Sequence, residues 1–190
     1  MSKRKVLIVL GSPRKQGNTA ALAEEVAAGA LAAGAEVESI YLHGMKIQPC
    51  AACEACKAEG AHGCVIDDDM KLLYPKILQA DAVTIASPIY WWNVSAQTKL
   101  FLDRCSALND SEGNGLARKQ IGIVLAYGGA DPFTSGAVNA IRAFQDAFGY
   151  FGTDVAGIVY GSAMHPGQIR ENRGVMEKAY RLGQRLGSGQ

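Results

Sequence analysis

Long apolar runs are missing from this chain of 190 residues. No segment supplies the about eighteen consecutive apolar residues that a membrane-spanning helix needs. The first apolar run, Val6–Leu10, is too short for the core of a signal peptide and stops at Gly11-Ser12-Pro13-Arg14. A cytoplasmic protein without a membrane partner is therefore expected. Charge is also scarce. Charged residues make up 19% of the chain, and 19 basic against 18 acidic residues leave a net charge of +1. Without a basic stripe, nucleic acid is excluded as the main partner, and the balance differs from that of a strongly acidic electron carrier. So little charge leaves surface for a partner subunit to cover. Internal repeats, low-complexity tracts and an interdomain linker are absent too, so residues 1–190 are expected to form a single domain. No nucleophile–base pairing has a spacing that suggests hydrolysis.

What is present is an alternation of strands and helices. Val6–Leu10 is continuous, apolar and rich in β-branched residues, the pattern of a strand buried on both faces of a parallel sheet. Asn18–Ala33 reads as a helix closed by Gly34, and Glu36–Leu42 as a second strand. Helices are expected at Asp67–Leu78, Ser95–Leu108, Ser135–Gly149 and Glu171–Leu186. Strands are expected at Asp81–Ala86, Gln120–Tyr127 and Asp154–Tyr160. Asp67-Asp68-Asp69 offers an N-cap and first-turn acids to its helix. Right-handed crossovers then give a flavodoxin-like three-layer α/β sandwich, with a five-stranded parallel sheet of order 2-1-3-4-5 and helices on both faces.

In such a sheet, ligands bind beyond the carboxyl ends of the strands, where the strand order reverses. Three segments border that point. Ser12, Arg14, Gly17, Asn18 and Thr19 lie in the first turn, where hydroxyl, amide and guanidinium donors meet a helix N-terminus. The turn matches neither Gly-x4-Gly-Lys-Ser/Thr nor Gly-x-Gly-x2-Gly, so a single phosphate fits it better than a triphosphate or dinucleotide. The plainer reading is a polar turn with an ordinary cap. Ser87-Pro88-Ile89-Tyr90-Trp91-Trp92-Asn93 forms the second segment. Its adjacent aromatics could wall a planar ring system or face a second subunit. Gly128 and Gly129 form the third and permit close approach of a ligand.

Five cysteines complete the picture. Cys50, Cys53, Cys56 and Cys64 cluster in an insertion over about residues 46–67, with the spacing C-x2-C-x2-C-x7-C. In a reducing compartment such a cluster reads as metal, iron–sulfur or redox chemistry before structural disulfides. Zinc, with His62 as a substitute ligand, a reversible disulfide pair and plain packing residues remain alternatives. Cys105 lies on an apolar helix face and reads as core.

Taken together, Gly-Ser-Pro-Arg…Gly-Asn-Thr at 11–19, the Pro-Cys…Cys…Cys run at 49–56, Asp68-Asp69-Met70, Ser-Pro-Ile-Tyr-Trp at 87–91, and Ser95, Lys99, Phe101, Asp103 and Arg104 resemble one group. It is the NAD(P)H-dependent FMN reductase and iron–sulfur flavoprotein family of the flavodoxin-like superfamily. The resemblance covers roughly residues 5 to 160. It implies that Ser12, Arg14, Gly17, Asn18 and Thr19 hold the FMN phosphate. It implies that Pro88, Ile89, Tyr90 and Trp91 flank the isoalloxazine, with Asn93 near its edge and Gly128 and Gly129 beside the ring or ribityl chain.

The resemblance further implies an oxidoreductase with NAD(P)H as co-substrate and a small acceptor such as a flavin, a quinone, or a nitro or azo compound. A homodimer or homotetramer is implied as well. No side chain is required as a general acid or base, because the flavin carries the chemistry. One alternative is an iron–sulfur flavoprotein electron carrier fed by ferredoxin, with Cys50, Cys53, Cys56 and Cys64 on a [4Fe–4S] cluster. Another is a zinc or thiol module without flavin.

Overall fold

The structure, a computed structural model, describes residues 3–61, 63–110 and 113–190. Five parallel strands run β1 (Lys5–Leu10), β2 (Glu36–Tyr41), β3 (Ala82–Tyr90), β4 (Gln120–Tyr127) and β5 (Asp154–Ser162), in the spatial order β2-β1-β3-β4-β5. Between and after them lie α1 (Asn18–Ala32), α2 (Met70–Gln79), α3 (Ala96–Arg104), α4 (Ala137–Tyr150) and α5 (Arg173–Ser188). The order and the layers are those read from the sequence.

Each strand side chain alternates between two cores. Val6, Ile8 and Leu10 meet α1 and α5, while Leu7 and Val9 meet α2, α3 and α4. Fully burying one such side chain contributes about 1.5–3 kcal/mol. Exposed ion pairs such as Arg142–Asp146 contribute only about 0–1 kcal/mol each, so the two apolar layers hold the sheet. On one face the helices touch backbone to backbone. A Cβ on Gly183 would stand 2.0 Å from the Val26 carbonyl oxygen, and one on Gly29 would stand 2.0 Å from that of Tyr180.

Four local expectations are corrected. The third strand does not stop at Ala86 but runs to Tyr90, and its end pairs antiparallel with Asn93–Val94. Pro88 cannot donate to a ladder, which favours an earlier stop. Since β1 ends at Leu10, opposite Ala86, Pro88 has a ladder neighbour only in β4. The helix expected to reach Leu108 tightens to a 3₁₀ turn at Cys105–Leu108. The last helix begins two residues late, at Arg173, behind a 3₁₀ turn at Gln168–Glu171. Finally, the acids at 67–69 fill the N-cap position, and Asp68 Oδ1 accepts the Met70 N–H at 3.0 Å, but none of them lies in the first turn. Asp69 occupies the N-cap of α2 without a side-chain cap bond, and the first turn carries no acid. The three carboxylates serve separate partners: Asp67 pairs with Lys71, Asp68 with Arg104, and Asp69 accepts the Lys46 N–H at 2.7 Å.

Candidate functional site at the carboxyl edge of the sheet

The loop after β1 is fixed from three sides. The Gly11 N–H donates to the Ala86 carbonyl at 2.8 Å, and the Ser95 hydroxyl donates to the Gly11 carbonyl at 2.7 Å. A Cβ on Gly11 would stand 1.8 Å from Thr98 Oγ1, so only glycine lets the loop pass. Ser95 also caps α3 by accepting from the Thr98 N–H, and its own N–H donates to Ser87 Oγ. Ser87, Ser95 and Thr98 thus rivet the phosphate-loop candidate to the end of β3. Sequence reading placed Ser95 in a helix pattern and gave Thr98 no part, because the link appears only once the two strand ends are adjacent.

Ser12 Oγ accepts the Arg14 N–H at 3.1 Å and closes the turn. Gly17 is the N-cap of α1, with no side-chain cap bond and no acid in the first turn. The first N–H groups of a helix are unsatisfied by its own carbonyls and carry the positive end of the helix dipole. Arg14 is exposed beside them and makes no ion pair among the described residues. Thr19 is buried in the first turn. The Asn18 side chain is engaged elsewhere. Its amide donates to the Ala163 carbonyl at 3.2 Å and its oxygen accepts the Ile169 N–H at 3.2 Å. Asn18 therefore joins the start of α1 to the segment after β5, which leaves its backbone N–H, rather than its side chain, as the donor at the helix start.

The aromatic segment is a hairpin tip rather than a loop. Ile89 pairs with Val94 and Tyr90 with Asn93, leaving Trp91 and Trp92 as the two turn residues with φ of +50° and +61°. Two-residue hairpins favour positive φ at both positions and normally place Asn or Gly there. Bulky residues in that region are strained by about 1–3 kcal/mol each and persist only where their surroundings enforce it. Trp92 is enforced: its indole N–H donates to the Thr134 carbonyl, and its own carbonyl accepts from Asn139. Its backbone and ring also fill the space that a Cβ on Gly136 would take. Trp91 is left 90% exposed. Pro88 is buried, Ile89 half-buried and Asn93 exposed, with Asn93 Oδ1 accepting the Val94 N–H.

Gly128 and Gly129 follow β4. A Cβ on Gly129 would stand 2.9 Å from Ser135 Cβ, and one on Gly128 would stand 3.1 Å from Met164 Sδ. Tyr127 precedes them, its phenol pushed above the usual range by burial. Asp131 accepts from the Thr134 N–H and hydroxyl and from the Phe133 N–H. These bonds hold its carboxyl low and the 131–134 turn closed. Phe133 and Met164 stand exposed on this rim with Tyr90 and Trp91. Met164 follows the fifth strand, a place from which it can reach a substrate, whereas Phe133 carries no signal in the sequence.

The cysteine segment begins after β2. Cys50 and Cys53 are exposed, Cys56 and Cys64 half-buried, and all are free thiols. Among the described residues, no three His, Cys, Asp or Glu side chains converge as a metal site. As arranged, the four thiols do not fit a cluster, and His62 lies outside the described residues. Lys57 donates to the carbonyls of Ser106 and Asn109, and Arg104 donates to that of Gln48. Arg104 and Asp68 form an ion pair with side chains only 1% and 2% exposed. Burial pushes the Asp68 carboxyl up, but bonds from Arg104 and from the Gln48 and Met70 N–H groups outweigh it and hold it below the usual range. Cys105 is core, as expected, and burial pushes its thiol up to about 12.

A family model described as NADPH-dependent FMN reductase matches residues 4–163. The chain belongs to this FMN reductase family. An iron–sulfur flavoprotein of Archaeoglobus fulgidus is 31% identical over 96% of this chain and 78% of its own length. A Bacillus subtilis protein, named for a proposed NAD(P)H-dependent FMN-containing oxidoreductase activity, is 32% identical over 94% and 96%. Among solved structures, the NAD(P)H:quinone oxidoreductase of Methanothermobacter marburgensis superposes with a TM-score of 0.75 at 18% identity, covering 97% of this chain and 98% of that one. A Megasphaera elsdenii flavodoxin superposes at 0.60, with 18% identity over 96% and 98%. The fold is flavodoxin-like, and the protein is an FMN-dependent, NAD(P)H-using oxidoreductase of this family. The residues present fit FMN: an uncapped, acid-free helix start lies next to the exposed Arg14, and an exposed aromatic tip follows β3. No helix among the described residues is long and apolar enough to cross a membrane.

Proposed function

We propose that the carboxyl-edge site binds FMN and passes electrons from NAD(P)H to a small planar acceptor such as a flavin or a quinone. The observation that carries this reading is the start of α1, which has no side-chain cap, no first-turn acid and Arg14 beside it. When bound, FMN supplies the two-electron chemistry, taking hydride from the nicotinamide and releasing electrons to the acceptor. The chain's part is to hold and to exclude. Ser12, Arg14, Gly17, Thr19 and the Asn18 backbone hold the phosphate at the helix N-terminus. Pro88, Ile89, Tyr90 and Trp91 flank the ring, Asn93 addresses its edge, and Gly128 and Gly129 let it lie close to backbone. The exposed apolar side chains of Trp91, Phe133 and Met164 surround the opening and favour an uncharged aromatic acceptor. A second copy of the chain, in a dimer or tetramer within the cytoplasm, covers part of this rim. The whole chain acts as one domain carrying the cysteine insertion.

The test is an FMN titration of the apoprotein followed by anaerobic addition of NADH or NADPH. Tight binding with rapid bleaching of the flavin absorption supports the reading. Failure to bind FMN ends it.

A second reading makes the protein an iron–sulfur flavoprotein electron carrier fed by ferredoxin. The compact cysteine spacing and the names of relatives such as the Archaeoglobus protein favour it. The dispersed thiols weigh against it. About four irons with matching acid-labile sulfide per chain would establish it. Iron-free, colourless protein that ignores added FMN would leave only a thiol or zinc module.

A further inference from the structure

Arg104 has five N–H groups, and the structure accounts for four. Asp68 takes one from each terminal nitrogen, Oδ2 from Nη1 and Oδ1 from Nη2. Nη1 gives its second N–H to the Gln48 carbonyl at 2.9 Å. Nη2 gives its second to Cys64 Sγ at 3.4 Å. Nε, on a side chain only 1% exposed, has no partner among the described residues. A guanidinium is planar, so the outer N–H of Nη2 and the N–H of Nε point along the same edge. Cys64 fills half of that edge, and the Nε half is directed at the space beside its sulfur. A buried, unpaired donor on a cation requires an explanation. A bare thiol cannot satisfy both N–H groups, whereas a sulfur carrying one oxygen can. The place is also reachable. Cys64 is half-buried and lines an open cavity of about 660 Å³ with Lys71, Tyr74 and Asn114.

We propose that Cys64 is a site of reversible oxidation by hydrogen peroxide or a small organic hydroperoxide, with Arg104 receiving the new oxygen. The Cys64 thiolate attacks one peroxide oxygen. An S–O bond forms as the O–O bond breaks, and the far oxygen leaves as hydroxide or alkoxide and takes up, through solvent, the proton that the thiol released on ionising. The sulfur loses two electrons and the peroxide gains two. The product is a sulfenic acid, which a thiol can return to the starting state. Arg104 acts here as a positioning residue. Nη2 holds the sulfur before the reaction, and the Nε N–H accommodates the oxygen afterwards by a charge-assisted bond.

Exposure alone predicts the opposite order of reactivity, because Cys50 and Cys53 are more accessible than Cys64. That contrast makes the test internal to the native protein. Protein as purified, with its iron content assayed, is treated with limiting hydrogen peroxide in the presence of dimedone. Adducts at each cysteine are then followed by mass spectrometry. Cys64 is expected to label about tenfold faster than Cys50 or Cys53, the effect of one charge-assisted bond. Cys64→Ser removes the fast phase and leaves the slow ones unchanged. Folded Arg104→Lys, checked by circular dichroism and melting temperature, keeps the charge, loses the planar edge and loses the lead of Cys64. Labelling of Cys64 no faster than of Cys50 overturns the proposal. So does an unchanged lead in folded Arg104→Lys. Labelling that appears only after iron is stripped also overturns it, because the edge would then serve a metal-bound sulfur.

Discussion

The Trp92 indole N–H donates to the carbonyl oxygen of Thr134 at 2.9 Å, and this one bond ties the tip of the β3 hairpin to the loop that follows β4. Trp91, its neighbour in the chain and in the same left-handed conformation, has no such anchor among the described residues.

The two tryptophans should therefore separate stability from function. Trp92→Ala removes a bond and a half-exposed ring from a strained turn and should cost about 1–2 kcal/mol, seen as a lower urea midpoint. Trp91→Ala should stay within about 0.5 kcal/mol of the parent in the same experiment, yet raise KM for an aromatic acceptor. Equal effects on both readouts would refute the division.

Arg14 carries a charge that no described residue neutralises. Arg14→Ala should weaken FMN binding by about tenfold, the effect of one charge-assisted bond, without moving the melting temperature. Raising the salt concentration should weaken binding to the parent more than to the variant. Fluorescence titration at two ionic strengths measures both.

The contact of α1 with α5 leaves no room for a methyl group. Gly183→Ala places a Cβ against the Val26 carbonyl, which is backbone and cannot swing aside. The expected loss is about 1–3 kcal/mol in urea unfolding, with FMN affinity retained. Gly34→Ala, where nothing lies within reach but φ is +88°, tests strain without collision and should cost about 1–2 kcal/mol.

Acid should act through Asp68. Its folded value lies below the ordinary 3.8, so its contribution is present above that pH and is lost as pH falls through the folded value. Unfolding free energy measured from neutral pH downward should fall in that acidic window. Asp68→Asn should flatten the fall while lowering stability at neutral pH by about 3–5 kcal/mol, because Arg104 loses its partner. A parent and variant with parallel acid limbs would show that other carboxylates dominate.

How much of this was legible in the sequence differs by element. Val6–Leu10 and Gln120–Tyr127 were readable to within a residue, because strands buried on both faces leave an unbroken apolar run. The hairpin at Tyr90–Asn93 was not, since Trp-Trp is not turn chemistry and only the docking of Trp92 on Gly136 and Thr134 makes it one. The loops of the site were recognisable from their positions after β1, β3 and β4. The riveting of Gly11 by Ser95 and Thr98 was hidden, as was the role of Asn18, since each depends on residues far apart in the chain. Arg104 appeared only as part of a helix pattern. Its burial against Asp68 and Cys64 is a tertiary fact that no local propensity encodes.

Lys46 and Asp69 exchange two hydrogen bonds, the Lys46 N–H to the Asp69 carboxylate and the Asp69 N–H to the Lys46 carbonyl, so the cysteine segment leaves the fold and re-enters it at one point. A loop closed in this way can change length cheaply, at about 0.6 kcal/mol per doubling. The cost of change lies instead in the ties inside the loop, Lys57 on the Ser106 and Asn109 carbonyls and Arg104 on the Gln48 carbonyl and Cys64. Lost anchors, not chain entropy, set the limit on what the segment can become.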